Sequence, residues 1–328
     1  MKSPFTDGEV VRQVREEELE FRGDSFKIPY TNYRCVDTGK EFTTNEIDTL
    51  NLALLHNAYR EKHNIPFPEE ILEIRKKYGV SQTKMSDVLG FGANTYRNYE
   101  NGDVPQLNNA KLISLAAKPS GFIDLVNDCD SLTEKQKEKY IKSAKAAYSH
   151  DVKLFSWLFR HQKPNAFTGY RAPDVEKLNA MIAFMALNSN FFKVKICKLL
   201  FYSDFCHFKQ YGKSISGTSY QAIPMGPVPH RYGSLFEFGA EKGAFRIELV
   251  KFPEREGERF ISEANSDVLN VLTAEEENTL SLVKESLGPM NTDDLIEISH
   301  KEAAWLENKD EQNLIDYNYA FKLKHPAI

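Results

Sequence analysis

Two hydrophobic periodicities succeed one another along the chain. Over residues 8–43, "EVVRQVREEELEFRG" and "DSFKIPYTNYRCV" alternate apolar and polar positions, as half-buried strands do, and Gly23-Asp24 between them signals a turn. From Thr44 the period becomes helical. "TNEIDTLNLALLHNAYREKHN" puts Ile47, Leu50, Leu54, Leu55 and Ala58 on one face, with Thr44 or Asn45 as N-cap. After Pro66 and Pro68, residues 69–127 read as five short helices; Gly79, Gly90 and Gly102 close the first three. A longer Lys-rich helix over 132–160 is expected to start at a Thr133 cap and to end before the loop with Pro164, Gly169 and Pro173.

Beyond that loop the apolar content rises. "DVEKLNAMIAFMALNSN" and "FKVKICKLLFYSDFCHFKQYG" predict two buried helices, in which Met181, Phe184, Met185 and Phe192 read as core. A short extended piece at 219–223, the Pro-rich elbow "AIPMGPVPHRYG" and a helix from about His230 to Gly239 follow. Two strands ("AFRIELVKF" and "GERFISEAN") and two or three helices ("TAEEENTLSLVKESLG", "NTDDLIEISHKEAAWLEN" and a weaker one at 311–322) complete the chain. The expected class is mainly α with small β parts (α+β). Boundaries are expected at 1–66, a β domain plus linker helix; 67–128, a helical domain; 129–170, a helical linker; and 171–328, an α-rich domain with a short β element.

Composition narrows the function classes. At 328 residues the chain can hold two or three domains with separate cores. No apolar run approaches the roughly 18–20 residues of a membrane span, and "MKSPFTDGEVV" has no signal-peptide core, so a cytoplasmic protein is expected. Cysteines 35, 129, 197 and 206 form no framework and read as free buried thiols. The net charge of −5 argues against a protein coated in nucleic acid, yet allows one DNA-binding module. The basic run Lys135–Lys145 reads as a solvated helix face, or alternatively as a contact to DNA phosphates or between modules.

The sharpest local pattern is "IRKKYGVSQTKMSDVLGFGANTYRNYENG", two short helices joined by a turn with Gly90 and Gly92. Met85, Val88 and Leu89 would bury one face of the first, and Tyr96 and Tyr99 would dock the second. Asn94, Thr95, Arg97 and Asn98 are then left toward solvent, where amides and a guanidinium can read base edges. Gln82 and Lys84 are placed for phosphates. This pattern is similar to the Xre/Cro-like helix-turn-helix, in the five-helix variant of MqsA-type antitoxins. That family reads bases with an Asn at the start of the recognition helix and an Arg four residues later. Here Asn94 matches the first position, but Asn98 stands at the second, beside Arg97. "YRCVDTGKEF" likewise resembles one zinc knuckle of the MqsA-type N-terminal domain, normally C-x-x-C-G. Thr38 replaces its second cysteine and no CxxC pair precedes it, so a metal-free, degenerate zinc-ribbon-like β fold is expected.

The C-terminal half carries a second resemblance. "KLLFYSDFCHFKQYGKSISGTSYQAIPMGPVPHRY" and "LIEISHKEAAW" are similar to the SocA-like antitoxin family, or Panacea domain, through Lys198, Leu199, Tyr202, Asp204, Gly217, Tyr220 and the Gly226-Pro227-Val228-Pro229 run. The resemblance implies direct capture of a cognate toxin. Such toxins often block translation, some of them alarmone-synthetase-like enzymes that modify tRNA. It also implies a link to a AAA+ protease, since SocA delivers its toxin for proteolysis. Tyr202, Asp204, Tyr220, Met225, Pro227, Pro229, His230, Tyr232 and Phe236, around the elbow, are the candidate toxin contacts. Asp204, His207, His230 and His300 are an alternative catalytic set, in which Asp204 and His207, i and i+3 on one helix face, could share a metal with His230, but no HExxH, P-loop or GxSxG motif supports an enzyme. Asp204 reads better as a carboxylate bound to amides of the following Gly-Pro loop.

The reading that unites both halves is a bacterial type II antitoxin, neither an enzyme nor cofactor-dependent. Its helix-turn-helix would bind operator DNA as a homodimer and repress its own operon, and its C-terminal half would hold a toxin inactive. The alternative is a prophage-associated transcription regulator whose C-terminal half senses a ligand or protein.

Overall fold

The computed structural model describes residues 1–146, 158–253, 256–262 and 267–326. Helices predominate, and the strands form three small sheets among the described residues. The α+β class is the one expected. Two compact units divide the chain discontinuously: Met1–Glu17, Lys27–Leu54 and Ser156–Ile328 make one, Glu18–Phe26 and Leu55–Phe155 the other.

Strands β1 (Val10–Phe21) and β2 (Asp24–Cys35) form a hairpin closed by Arg22 and Gly23, both at positive φ, the conformation of a two-residue turn that matches strand twist. A short β3 (Glu41–Phe42) pairs antiparallel with β2. Helix α1 (Asn45–His63) begins at Thr44, whose hydroxyl accepts from the Ile47 amide at 3.4 Å.

In the second unit, α2 (Pro68–Tyr78), α3 (Gln82–Val88), α4 (Thr95–Glu100), α5 (Leu107–Ala116) and α6 (Pro119–Asn127) are the five short helices. They close on one core built from Ile71, Tyr78, Met85, Val88, Tyr96, Ile113 and Phe122. Helix α7 (Glu134–Ala146) adds Tyr140 and Ala144 to that core. Of the helix expected to run to 160, residues 147–157 lie outside those described.

The first unit is organised around one buried helix. Helices α8 (Val175–Ala186) and α9 (Lys193–Tyr211) are the expected apolar pair, and α9 is buried continuously from Lys195 to Phe208. A helix apolar all round belongs inside a domain. Its buried polar residues Lys195, Lys198, Ser203, Asp204 and His207 therefore need internal partners. The extended piece and the elbow are together a second hairpin, β4 (Tyr220–Ile223) and β5 (Gly226–Pro229), in register Tyr220↔Pro229 to Ile223↔Gly226. Then come α10 (Tyr232–Glu241), the hairpin β6 (Arg246–Lys251) and β7 (Glu256–Ile261), α11 (Ala274–Leu287), α12 (Thr292–His300) and α13 (Ala303–Leu306).

The helix expected at 311–322 is instead a strand, β8 (Leu314–Ile315), followed by a 3₁₀ turn at Tyr317–Lys322. The cause is tertiary. Leu314 and Ile315 pair with Gln221 and Tyr220, completing the sheet β5-β4-β8.

Candidate functional sites

In the second unit, α3 and α4 meet through a turn in which Gly90 takes φ +69 and the Phe91 amide donates to the Ser86 carbonyl. Helix α3 is capped by Ser81, whose hydroxyl accepts from the Lys84 amide at 3.3 Å. Tyr96 fixes α4: its ring is fully buried and its hydroxyl donates to the Ile71 carbonyl at 2.7 Å. Asn94, Arg97 and Asn98 are exposed and Thr95 is half-buried, so four of the six predicted DNA contacts form one accessible patch.

The other two are engaged inside the module. Gln82 donates to Glu100, which also accepts from Arg75, itself bonded to the Val80 carbonyl at 3.0 Å. Lys84 is paired with Asp87 at 2.9 Å, and that carboxylate raises the lysine pKa. A lysine neutralised by its own neighbour releases few counterions on meeting DNA.

In the first unit the buried polar groups of α9 define the elbow. Asp204 is fully buried and accepts from the Ile215 amide at 2.8 Å, the Ser216 amide at 2.9 Å, the Ser216 hydroxyl at 2.6 Å and the Tyr220 hydroxyl at 2.8 Å. Burial pushes its carboxyl pKa up, and these donors pull it back. Asp204 thus binds loop amides as expected, but they are those of Ile215 and Ser216 before the hairpin and not those of the Gly-Pro turn. Lys198, also fully buried, donates to the Pro227 carbonyl at 3.0 Å. Gly226, at φ +91, lies against this lysine so closely that a Cβ would come within 2.6 Å of both Lys198 Nζ and Ser299 Oγ. The hairpin is thus riveted to α9 at both ends.

Further braces come from the last helices. Trp305 Nε1 donates to the Ile223 carbonyl at 2.8 Å, and the His300 ring stacks on the Trp305 indole with centroids 3.9 Å apart. Glu302, fully buried, accepts from the Tyr202 hydroxyl at 3.3 Å and from the Lys324 amide at 2.9 Å.

These positions correct the predicted contact set. Tyr202, Asp204, Tyr220, Pro227, Pro229 and Phe236 are buried and are framework residues, since a packed interior offers no side chain to a partner. Met225 is 48% exposed at the hairpin tip, with Pro224 exposed beside it, and His230 and Tyr232 are half-buried at its base. His230 Nδ1 lies 3.3 Å from Gln221 Oε1, and burial with Arg231 and Arg160 nearby lowers its pKa. Beside the hairpin a groove of about 1010 Å³ is lined by Gln221, His161, Phe167, Tyr319 and Phe321, with Arg15, Lys27, Glu311 and Asp316 also facing it.

Sequence reasoning assigned no role to Lys198 or Glu302. Lys198 stands in the quoted K-L-L-F-Y run, whose lysine, on an otherwise apolar helix, was the available signal. Burial lowers its pKa to about 7. The sign follows: the folded state prefers the neutral amine while the unfolded state keeps its proton to about pH 10.4. Stability should therefore rise with pH between about 7 and 10, and the penalty is present in full below 7. Lys198→Met should flatten that segment of the melting-temperature profile relative to the native chain; parallel profiles would contradict the assignment.

The suspected metal set does not converge. His207 Nδ1 lies 2.7 Å from the Lys213 carbonyl, with its pKa pushed down to about 4 by burial, while His230 and His300 have the partners given above. Among the described residues no three His, Cys, Asp or Glu side chains gather into a metal-binding group. In the N-terminal sheet, zinc would need four nitrogen or sulfur donors. Cys35 is instead surrounded by the hydroxyls of Ser3, Thr38 and Thr6, whose hydrogen bonds bring its thiol down to about 6. One sulfur and three hydroxyls do not fit zinc.

Two families match the chain in tandem. Residues 1–126 match the antitoxin component of bacterial toxin–antitoxin systems, MqsA, and residues 196–306 match the SocA-like antitoxin Panacea domain. No curated protein matches the chain. No helix among the described residues is long and apolar enough to cross a membrane. The chain thus carries an MqsA-type antitoxin domain followed by a SocA-like Panacea antitoxin domain.

Proposed function

We propose that this chain is a type II antitoxin with two separate binding tasks: operator recognition by the second unit and direct capture of a toxin by the first. The observation that carries the proposal is the Panacea-matched hairpin, held rigidly from behind and bare at its tip. A preorganised loop loses little entropy on docking, and an exposed methionine between prolines is an adaptable apolar anchor. Met225, Tyr232 and His230 are the proposed toxin contacts. Asn94, Arg97 and Asn98 are the proposed base-reading set, presented as a homodimer to a two-fold operator upstream of the chain's own gene. The protein acts by stoichiometric binding rather than by turnover, in the bacterial cytoplasm, without a cofactor.

The expected partner is the product of an adjacent toxin gene. Met225→Asp would put a charge at the centre of an apolar contact, and should weaken capture at least tenfold in titration of purified toxin. Native melting with unchanged affinity would remove Met225 from the interface. The groove beside the hairpin favours a second reading, a regulator sensing a bound factor. Its open, mixed-charge lining suits a peptide segment better than a small ligand, which keeps protein capture first.

A further inference from the structure

Two loops that bring the N-terminal sheet together have the same hydrogen-bond diagram. In the first, the Ser3 amide donates to the Gly8 carbonyl at 3.0 Å, the Asp7 amide to the Ser3 carbonyl at 3.0 Å, and the Gly8 amide to the Thr6 hydroxyl at 3.3 Å. In the second, the Cys35 amide donates to the Lys40 carbonyl at 2.9 Å, the Gly39 amide to the Cys35 carbonyl at 2.9 Å, and the Lys40 amide to the Thr38 hydroxyl at 3.3 Å. The residue that turns each loop lies in the left-handed region: Asp7 at φ 55 and Gly39 at φ 70. Ser3 therefore corresponds to Cys35 and Thr6 to Thr38.

The four side chains also converge: Thr6 Oγ1 lies 3.5 Å from Cys35 Sγ while its hydroxyl donates to Asp37 at 2.6 Å, and the Ser3 and Thr38 hydroxyls lie near enough to the same sulfur to help lower its pKa. Ser3 and Cys35 are both almost wholly buried. Two x-x spaced pairs, on two equivalent turns, aimed at one point, is the layout that a tetrahedral metal demands of a double knuckle.

We propose that Ser3, Thr6, Cys35 and Thr38 are the four corners of a zinc-knuckle pair in which three hydroxyls have replaced thiolates and hydrogen bonds replace the metal. The backbone has kept the shape of the site while its donor set no longer holds zinc. Hydroxyls can donate to sulfur and to a neighbouring carboxylate, as Thr6 does to Asp37, which like-charged thiolates cannot, so the same convergence closes without a cation. The N-terminal sheet should consequently fold independently of zinc, whereas structural zinc sites derive folding energy from the metal.

Restoring the donors tests this. The full chain carrying Ser3→Cys, Thr6→Cys and Thr38→Cys, kept reduced, is titrated with Co²⁺ and then Zn²⁺. One metal per chain is expected, with the visible absorption of tetrahedral cobalt–thiolate, displacement by zinc, and a zinc-dependent rise in melting temperature that EDTA reverses. The native chain should take up no stoichiometric zinc and melt identically with and without EDTA. A folded triple variant without one-to-one metal uptake, octahedral cobalt, or one zinc retained by the native chain would overturn the proposal. Should the triple variant be insoluble, Ser3→Ala with Thr38→Ala decides. Loss of the bridging hydroxyls must speed amide exchange at Asp7 and Gly39, and unchanged exchange there also overturns it.

Discussion

Asp204→Ala is expected to destabilise the first unit by about 3–5 kcal/mol, at the severe end of single-residue effects. The substitution strands the Ile215 and Ser216 amides and the Tyr220 hydroxyl in an interior that water does not reach. A buried donor left without an acceptor costs roughly 1–3 kcal/mol. Relief from burying the carboxylate offsets part of that sum, as its raised pKa indicates. Asp204→Asn keeps one acceptor oxygen and should cost less. Hydrogen exchange over 212–229 reads the outcome locally: protection of the Ile215 and Ser216 amides should fall at least tenfold in the alanine variant. Exchange and melting as in the native chain would show that the carboxylate does not hold the loop.

The second large effect is expected at α4. Asn94→Ala should weaken operator binding by about 1–3 kcal/mol, which is roughly 5- to 150-fold, with little change on unrelated DNA. The Asn94 side chain makes no hydrogen bond among the described residues and does not cap its helix, so its removal leaves the module intact. Lys84→Ala should do far less, because Asp87 already neutralises that ammonium. Fluorescence anisotropy on the promoter region of the chain's own gene separates these cases. Equal affinity of the native and Asn94→Ala proteins for the operator would discard the recognition-helix assignment.

Local signals made much of this architecture legible. Ser81, Asp174 and Thr273 cap helices as their types suggest, and Gly79 and Gly212 end helices in left-handed conformations. What escaped depends on distant partners. Residues 314–315 look helical until Tyr220 and Gln221 are present to pair with them. The Pro-rich elbow reads as a bend because proline cannot donate to a ladder. Here Pro227 and Pro229 sit on β5, an edge strand, where no donation is required.

The candidate site followed the same division. Sequence pattern located the Pro-rich segment and helix α4, but it did not separate residues that build them from residues they present. Tyr202, Tyr220 and Phe236 have the chemistry of interface anchors, yet they are spent on the interior. The first knuckle was invisible for a related reason. A search for cysteine finds nothing in "SPFT", whereas the backbone bonds of Ser3, Thr6, Asp7 and Gly8 repeat those of Cys35, Thr38, Gly39 and Lys40.

A cut at residue 171 would divide the first unit, which also contains 1–17 and 27–54, so the toxin-capture claim is best tested on the whole chain. The decisive measurement is calorimetric titration of the intact protein with the toxin encoded beside it, paired with growth of cells expressing both. A saturable complex of fixed stoichiometry and restored growth are expected, both weakened by Met225→Asp. A folded native chain that forms no complex and leaves the toxin fully active would contradict toxin capture.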